Sequence, residues 1–462
     1  MTHTNKALSS QSFLLLGATL LAWQIVMYCA ASYFHIGRPL LNIDYAFILI
    51  LSFFTPRPIS ILLFLIVILI DYFMLPVQIL PFTRLIDFIY FIGKLEFINR
   101  SITFSLAGCI ILAITVSIFT MNIAKKSSKL TLILTFNLFI ISSAISKTIT
   151  EESHDNRFYR VANKYFSDSV FLYAYNYRTS GFVSSSNLKN QSLSETKDTR
   201  ALCININCDL PPENKTLFII NESWGDYKDP KTQEEILKPV NSWILTKGTI
   251  SFTGLTVEAE LKELCGLHAE SLYFKETNIE DFKNCYPEKI KKLGYKTYSY
   301  HAAGSMMYDR HHWYPLAGFE KSTFFDTQKW PARCYSFPGA CDKDIAQKII
   351  NDIKKPGIAL FYWLTLNTHH NYNLKDLKTK TFNCKELDIK NNEICRNAKL
   401  QNQFFLILKN IILNLSELEE NLTIIIVGDH SPPITNTQAK ELYFNTKKVP
   451  YIKIKLQHRN TK

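Results

Sequence analysis

Thr423-Ile424-Ile425-Ile426-Val427-Gly428-Asp429-His430 is the stretch that decides the fold, and Leu217-Phe218-Ile219-Ile220-Asn221-Glu222-Ser223 is its companion. Each is an apolar run of strand length, as expected of a strand buried on both faces, and each stops on groups that ligate metals. An open α/β sheet builds its site where carboxylates and imidazoles are delivered at the carboxyl ends of strands. Two strands far apart in the chain can therefore meet at one ion.

Outward from these two runs, further strands are expected at Lys296–His301, Ile358–Asn367 and Val449–Leu456. Helical periodicity marks Val257–Leu267, Pro287–Leu293, Asp342–Lys354 and Ala398–Leu418. Strands alternating with helices predict an α/β domain with a mainly parallel central sheet over residues 215–462. There is no internal repeat. Residues 151–214 are polar, with Ser184-Ser185-Ser186 and Ser192-Leu193-Ser194, and read as a linker.

Residues 1–150 are a membrane block. Apolar segments run over Ser12–Phe34, Leu41–Phe54, Ile59–Leu75, Thr103–Met121 and Leu130–Ile145; most approach the ~20 residues a span needs, and the second is short. The first is too long for a signal-peptide core and more spans follow, so the anchor is expected to stay. Five spans place the two ends on opposite sides. The basic loop 124–129, Ala-Lys-Lys-Ser-Ser-Lys, belongs inside and sends the soluble part outside, although Arg38, Arg84, Lys94 and Arg100 then lie on the outer side too. Pro76–Phe97 mixes apolar and charged residues and reads as an interfacial segment, either a headgroup dock or a connector. Asp71 closes the third span, as a functional acid or by snorkelling.

Cysteine usage places the soluble part more firmly. Of ten cysteines, Cys29 and Cys109 lie in spans, and the other eight fall as near neighbours in the soluble part. The spacing suggests 203 with 208, 265 with 285, 334 with 341 and 384 with 395. No CxxC pairs or histidine spacing support zinc clusters instead. Disulfides imply an oxidising compartment, hence a periplasmic domain on a bacterial inner-membrane anchor. The net charge of +12 suits an anionic membrane surface or phosphate-bearing substrates, or is simply a solvated lysine-rich face; the compartment argues against nucleic acid.

Five elements carry chemistry. Glu222 follows its strand directly, as a ligand or a cap. Asp429 and His430 pair an oxygen donor with an imidazole, and Pro432-Pro433 stiffen the exit. Thr256, in Ser251-Phe252-Thr253-Gly254-Leu255-Thr256-Val257-Glu258, precedes a helical stretch. It is either a plain N-terminal threonine or a nucleophile whose alkoxide and incoming phosphate are stabilised by the helix N-terminus, with Thr253 its rival. His301-Ala302-Ala303-Gly304-Ser305-Met306-Met307-Tyr308-Asp309-Arg310-His311-His312-Trp313 holds a guanidinium fork and an aromatic hydroxyl suited to a phosphoryl group, and its paired histidines, His311 and His312, read as metal ligands or, since adjacent side chains point apart, as a surface pair. His369, in Thr368-His369-His370-Asn371-Tyr372, protonates a leaving alkoxide, holds a phosphate oxygen, or faces water.

In this order the five elements resemble the alkaline phosphatase and sulfatase superfamily, specifically its membrane-anchored phosphotransferases. These are the lipoteichoic acid synthases, the osmoregulated-glucan phosphoglycerol transferases and the lipid A phosphoethanolamine transferases. The resemblance covers the whole chain. It implies that Glu222, Thr256, Asp429 and His430 hold the metal, with Thr256 the nucleophile, and that His301, Tyr308, Arg310 and His369 bind the substrate. Tyr308 replaces a tryptophan, and Ala303 an acidic residue, of the lipoteichoic acid synthase branch. The many cysteines are closer to the phosphoethanolamine branch, whose Gly-Glu-Thr-Ala and Asp-His-Gly-Glu signatures are absent here. The C/S-x-P-x-R setting of true sulfatases is absent too, which argues against sulfate-ester hydrolysis.

The expected function is thus metal-dependent transfer of a phospholipid-derived headgroup, phosphoglycerol or phosphoethanolamine, to an envelope glycan or lipid acceptor through a phospho-threonine. Three oxygens and one nitrogen suit one divalent ion, Zn, Mn or Mg. A hydrolase of the same superfamily and a non-catalytic envelope binding module are the other two classes. Headgroup, acceptor and oligomeric state are left open.

Overall fold

The computed structural model describes residues 2–33, 38–79, 100–149, 166–172, 175, 193–337, 339–370, 372–418 and 420–457. The chain divides into two compact units, Met1–Ser184 and Ser185–Lys462.

The first unit is helical: α1 (Thr2–Tyr33), α2 (Asp44–Leu51), α3 (Arg57–Ile79), α4 (Arg100–Lys126) and α5 (Lys129–Ile149). Among the described residues, four helices are long and apolar enough to cross a membrane, with windows Phe13–Ala31, Arg57–Met74, Ala107–Lys126 and Lys129–Ser146. The expected second span, Leu41–Phe54, is instead the eight-residue α2, about 12 Å of helix against the ~30 Å of a bilayer core. Asp71 does not snorkel. It lies inside α3, 1% exposed, 2.6 Å from Arg38, and it accepts a further bond from the Tyr45 hydroxyl at 2.8 Å. An internal partner removes the need for water. Of the interfacial segment Pro76–Phe97, residues 80–97 lie outside the described residues, as does most of the linker 151–214.

The second unit is built on seven strands: β1 (Lys215–Asn221), β2 (Ile244–Ser251), β3 (Lys296–His301), β4 (Lys321–Thr323), β5 (Ala359–Leu364), β6 (Leu422–Gly428) and β7 (Lys448–Leu456). They lie in the order β2-β7-β6-β1-β5-β3-β4, and β7 alone runs against the direction of the other six. β1 and β6 are buried at every residue, as their unbroken apolar runs require. The sequence pattern misses β2, because Ile244-Leu-Thr-Lys-Gly-Thr-Ile-Ser251 is an edge strand with most of its residues partly or fully exposed.

Helices cover both faces. On one, α10 (Asp342–Ile353) and α11 (Asn392–Leu415) seat Ile345, Ile349, Ile353, Phe404, Leu408 and Ile411 against Leu217, Ile219, Trp363 and Ile424. Each such side chain contributes about 1.5–3 kcal/mol by leaving water. On the other face the alternate residues Phe218 and Tyr362 stack, and Tyr362 stacks in turn on Phe319. Around the sheet lie α6 (Pro230–Leu237), α7 (Thr256–Cys265), α8 (Tyr286–Lys292) and α9 (Arg310–Leu316). Residues 193–214, read from sequence as linker, belong to this unit. Leu193–Glu195 pairs with Leu267–Ala269, and the Arg200 guanidinium donates to the Glu263 carbonyl at 2.6 and 2.9 Å.

Four disulfides join Cys203 to Cys208, Cys265 to Cys285, Cys334 to Cys341 and Cys384 to Cys395. These are the four near-neighbour pairs expected from the spacing.

Candidate metal centre

Register brings the strand ends together. Asn221 at the end of β1 pairs with Gly428 at the end of β6, Ile220 with Leu364 of β5, and Leu364 with His301 of β3. Glu222, Asp429, Thr365 and Ala302 therefore leave the same edge of the sheet. Gly428 permits the closest approach there: a Cβ on it would lie 2.0 Å from the carbonyl oxygen of Trp224.

At that edge one oxygen atom from Glu222, one from Asp429 and one imidazole nitrogen from His430 lie within 4.8 Å of one another. The Thr256 hydroxyl completes the group, 2.8 Å from Asp429 Oδ2, 3.2 Å from Glu222 Oε2 and 3.3 Å from His430 Nε2. Thr256 is the first residue of α7, whose N-terminus is closed by the Glu258 carboxylate accepting from Leu255 N–H at 2.7 Å. Thr253 is exposed in the preceding loop.

Each ligand is aimed by a neighbour. Asp429 Oδ1 accepts from the backbone N–H of Ser223 and of His430, both at 2.7 Å, which turns Oδ2 toward Thr256. The Ser223 hydroxyl donates to Glu222 Oε1 at 2.9 Å. His430 Nδ1 lies 3.1 Å from the Ser431 carbonyl, which can only accept, so Nδ1 carries the proton and Nε2 offers its lone pair inward.

The donor set fits a divalent cation. One hydroxyl proton can satisfy only one of the three acceptors converging on Thr256 Oγ1, and burial followed by the Asp429 charge pushes Glu222 well above the usual carboxylate range. A cation at their centre removes both conflicts. Glu222, Thr256, Asp429 and His430 would hold it.

Sequence reasoning missed the polar groups beneath. Glu222 N–H donates to Thr365 Oγ1 at 2.9 Å, and Gln401 Nε2 donates to the carbonyls of Glu222 and Ser223, both at 2.9 Å. Asn397 Nδ2 adds a bond to the Ser223 carbonyl at 3.2 Å. Asn397 and Gln401 sit four residues apart on α11, both fully buried. Two polar residues at that spacing in an otherwise apolar helical face are the signal that could have found them.

The residues expected to bind substrate are placed as follows. Arg310 is 1% exposed and bidentate on Glu260, with Nη2 to Oε2 at 2.6 Å and Nε to Oε2 at 3.0 Å. Glu260 also accepts from the Tyr314 and Tyr362 hydroxyls. Burial opposes the Arg310 charge, but Glu260 together with Tyr314 and Tyr362 outweighs it and holds the guanidinium protonated. The guanidinium lies 5.0 Å from the Tyr308 ring, and Tyr308 and Asp309 both take left-handed backbone angles, φ 55° and 52°. His301 is buried, with Nδ1 3.1 Å from the Leu364 carbonyl, and burial and Arg310 hold its pKa well below the usual range. His369 is half-buried, with Nδ1 2.9 Å from the His370 carbonyl, and burial pulls its pKa down to about 3. The charge of Glu222 is felt at Tyr308. His311 is half-buried and His312 Nε2 lies 2.9 Å from the Thr277 carbonyl.

Comparison with known proteins adds the following. No curated protein matches the chain. Among solved structures it is similar to the lipoteichoic acid synthase LtaP from Listeria monocytogenes (15% identity, 52% of this chain, 65% of that one, TM-score 0.42). It is similar also to the Streptococcus pyogenes phosphoglycerol transferase GacH in complex with sn-glycerol-1-phosphate (16%, 56%, 74%, 0.40). A third is the C-terminal periplasmic domain of EcEptC from Escherichia coli in complex with Zn (15%, 58%, 78%, 0.35). The chain thus spans just under two thirds of the length of the first of these. The family model for sulfatases matches residues 218–455, just over half of the 462 residues. That match begins inside β1 and ends inside β7, taking in both strands whose ends carry the candidate ligands, and the chain belongs to the sulfatase family.

Proposed function

We propose that this chain transfers a phospho-headgroup from a membrane phospholipid to a hydroxyl of an envelope glycan or lipid, through a phosphoryl ester on Thr256. The observation that carries the reading is the Thr256 hydroxyl, set at a helix N-terminus and shared among two carboxylates and an imidazole. A bound divalent ion would lower the pKa of that hydroxyl and offset charge on the phosphoryl oxygens.

In the first half, Thr256 Oγ1 attacks the phosphorus of the donor diester and its proton passes to solvent, since Asp429 Oδ2, 2.8 Å away, would be engaged by the ion. The bond from phosphorus to the diacylglycerol oxygen breaks, and that oxygen takes a proton from solvent. The N-terminus of α7 favours the anionic group bound there. In the second half, the acceptor hydroxyl attacks phosphorus, the Thr256 ester bond breaks, and Thr256 Oγ1 regains its proton. His369 suits this half. With Nδ1 donating to a carbonyl, its Nε2 lone pair can accept from the acceptor's O–H and orient that oxygen, and the proton passes on to solvent, because burial holds the pKa of the ring down to about 3. The imidazolium is too scarce at neutral pH to serve as the acid of the first half.

Arg310 supports the phosphoryl group from a fixed position, its fork oriented by Glu260 one turn after Thr256 on α7. The apolar helices of the first unit tether the catalytic unit to the bilayer that supplies the donor.

Mass spectrometry of the full chain, incubated with mixed phospholipids and a divalent salt, tests the reading. A headgroup mass on Thr256 is expected, absent from Thr256→Ala and retained by Thr253→Ala. An adduct on Thr253, or on no residue, overturns it. Donor turnover that needs no hydroxyl acceptor would instead make the chain a hydrolase.

A further inference from the structure

Phe337 has no part in the motifs read from sequence, yet its ring lies 4.7 Å from that of His369, centroid to centroid, with the planes inclined at 60°. It belongs to the loop closed by the disulfide Cys334–Cys341.

That loop is bonded to both strips that surround the metal centre. Toward the strip after β5, Tyr335 N–H donates to the Asp376 carboxylate at 2.8 Å and Ser336 N–H at 2.6 Å, while Asn373 N–H donates back to Ser336 Oγ at 3.0 Å. Toward the strip after β3, Ala340 N–H donates to the Ala302 carbonyl at 2.9 Å. Gly339 lies so close that a Cβ on it would be 2.3 Å from that same oxygen. Just past the disulfide, the Asp342 carboxylate accepts from Asn367 N–H at 2.8 Å and Leu366 N–H at 3.0 Å. A short covalent loop tied at so many points has little freedom, so Phe337 reaches His369 from a fixed direction.

The Nδ1 bond of His369 to the His370 carbonyl fixes one ring atom, and an aromatic ring centred 4.7 Å from the imidazole and inclined to it at 60° bounds the ring elsewhere. We propose that Phe337 is a positioning residue for His369: the disulfide-closed loop lays its ring on the imidazole and sets the direction in which Nε2 meets the acceptor hydroxyl. This rests on the transfer reading above.

Two readouts on the full chain, purified in detergent, test it. Carbethoxylation of histidines by diethyl pyrocarbonate, quantified by peptide mass spectrometry, gives the rate at His369 relative to the exposed His268. The ratio is expected to rise severalfold in Phe337→Ala and to stay near the native value in Phe337→Tyr. In the transfer assay, Phe337→Ala is expected to form the Thr256 adduct normally. Its acceptor-dependent kcat should fall about 10- to 100-fold with KM for the donor unchanged, the size expected of a misplaced group, and Phe337→Tyr should restore most of it.

An unchanged modification ratio in Phe337→Ala overturns the proposal, and so does a raised ratio with unimpaired transfer. Should Phe337→Ala fail to fold, the double variant Cys334→Ser/Cys341→Ser, which loosens the loop and keeps the ring, is read by the same two measurements. A native chain that forms no Thr256 adduct defeats the transfer reading, and the modification ratio still decides whether Phe337 fixes His369.

Discussion

Ser223 is where local strain and metal geometry meet. It follows Glu222 with φ 54°, a left-handed backbone that a non-glycine residue adopts at a cost of about 1–3 kcal/mol when its surroundings enforce it. The surroundings do so here. Its carbonyl is held by Gln401 and Asn397, its N–H by Asp429, and its hydroxyl by Glu222. Loss of that hydroxyl is expected to weaken metal affinity about 10- to 100-fold, the usual effect of removing an outer partner of a ligand. Ser223→Ala and Ser223→Gly separate the causes, because glycine relieves the backbone angle and alanine does not. Isothermal titration with Mn²⁺ or Zn²⁺ should find both weakened; unaltered affinity in the glycine variant would assign the effect to the backbone alone. Glu222, Asp429 and His430 were visible in sequence because each directly ends an apolar run. Ser223's role was not, since nothing in a run of letters reports a left-handed residue or a partner on a distant helix.

At the scale of elements, the centre depends on β1 and β6 ending level. Gly428 allows it, because a methyl there would enter the Trp224 carbonyl, and this backbone oxygen cannot swing aside as a side-chain tip could. Gly428→Ala is therefore expected to cost about 1–3 kcal/mol by overpacking and to displace Asp429. Urea denaturation should show the loss of stability, and metal titration a weakened site; a variant as stable and as metal-competent as the native chain would refute this account of the glycine. α11 works from the other side. Its apolar stripe packs on the sheet, and Asn397 and Gln401 interrupt that stripe beneath the strand ends. The central strands and long helices were legible through periodicity. β2 and the short α2 were not, because an edge strand with mixed exposure and an apolar run cut to eight helical residues break the period that identifies an element.

At the scale of the whole molecule, a metal that binds only the folded second unit must stabilise it, by about 2.7 kcal/mol at a hundredfold excess over Kd. Dialysis of the full chain against a chelator is expected to lower the melting temperature of the second unit, and re-added divalent ion to restore it. Asp429→Asn should be insensitive to both treatments, while a native chain with an unchanging melting temperature would speak against a metal centre here. Covalent cross-links act alongside: Cys384–Cys395 ties the segment before α11 to its first turn, on the helix that holds the Glu222 and Ser223 carbonyls. The sequence by itself determined the strand ends that carry the candidate ligands and four of the apolar helices, and it suggested the near-neighbour cysteine pairs among the 105 possible pairings, because these depend on local periodicity and short separations. Only the tertiary structure decided that Thr256 rather than Thr253 meets the carboxylates, that Arg310 is oriented by Glu260, and that Phe337 lies on His369. Those contacts join residues remote in the chain, and the register of the sheet and the packing of helices across it bring them within reach.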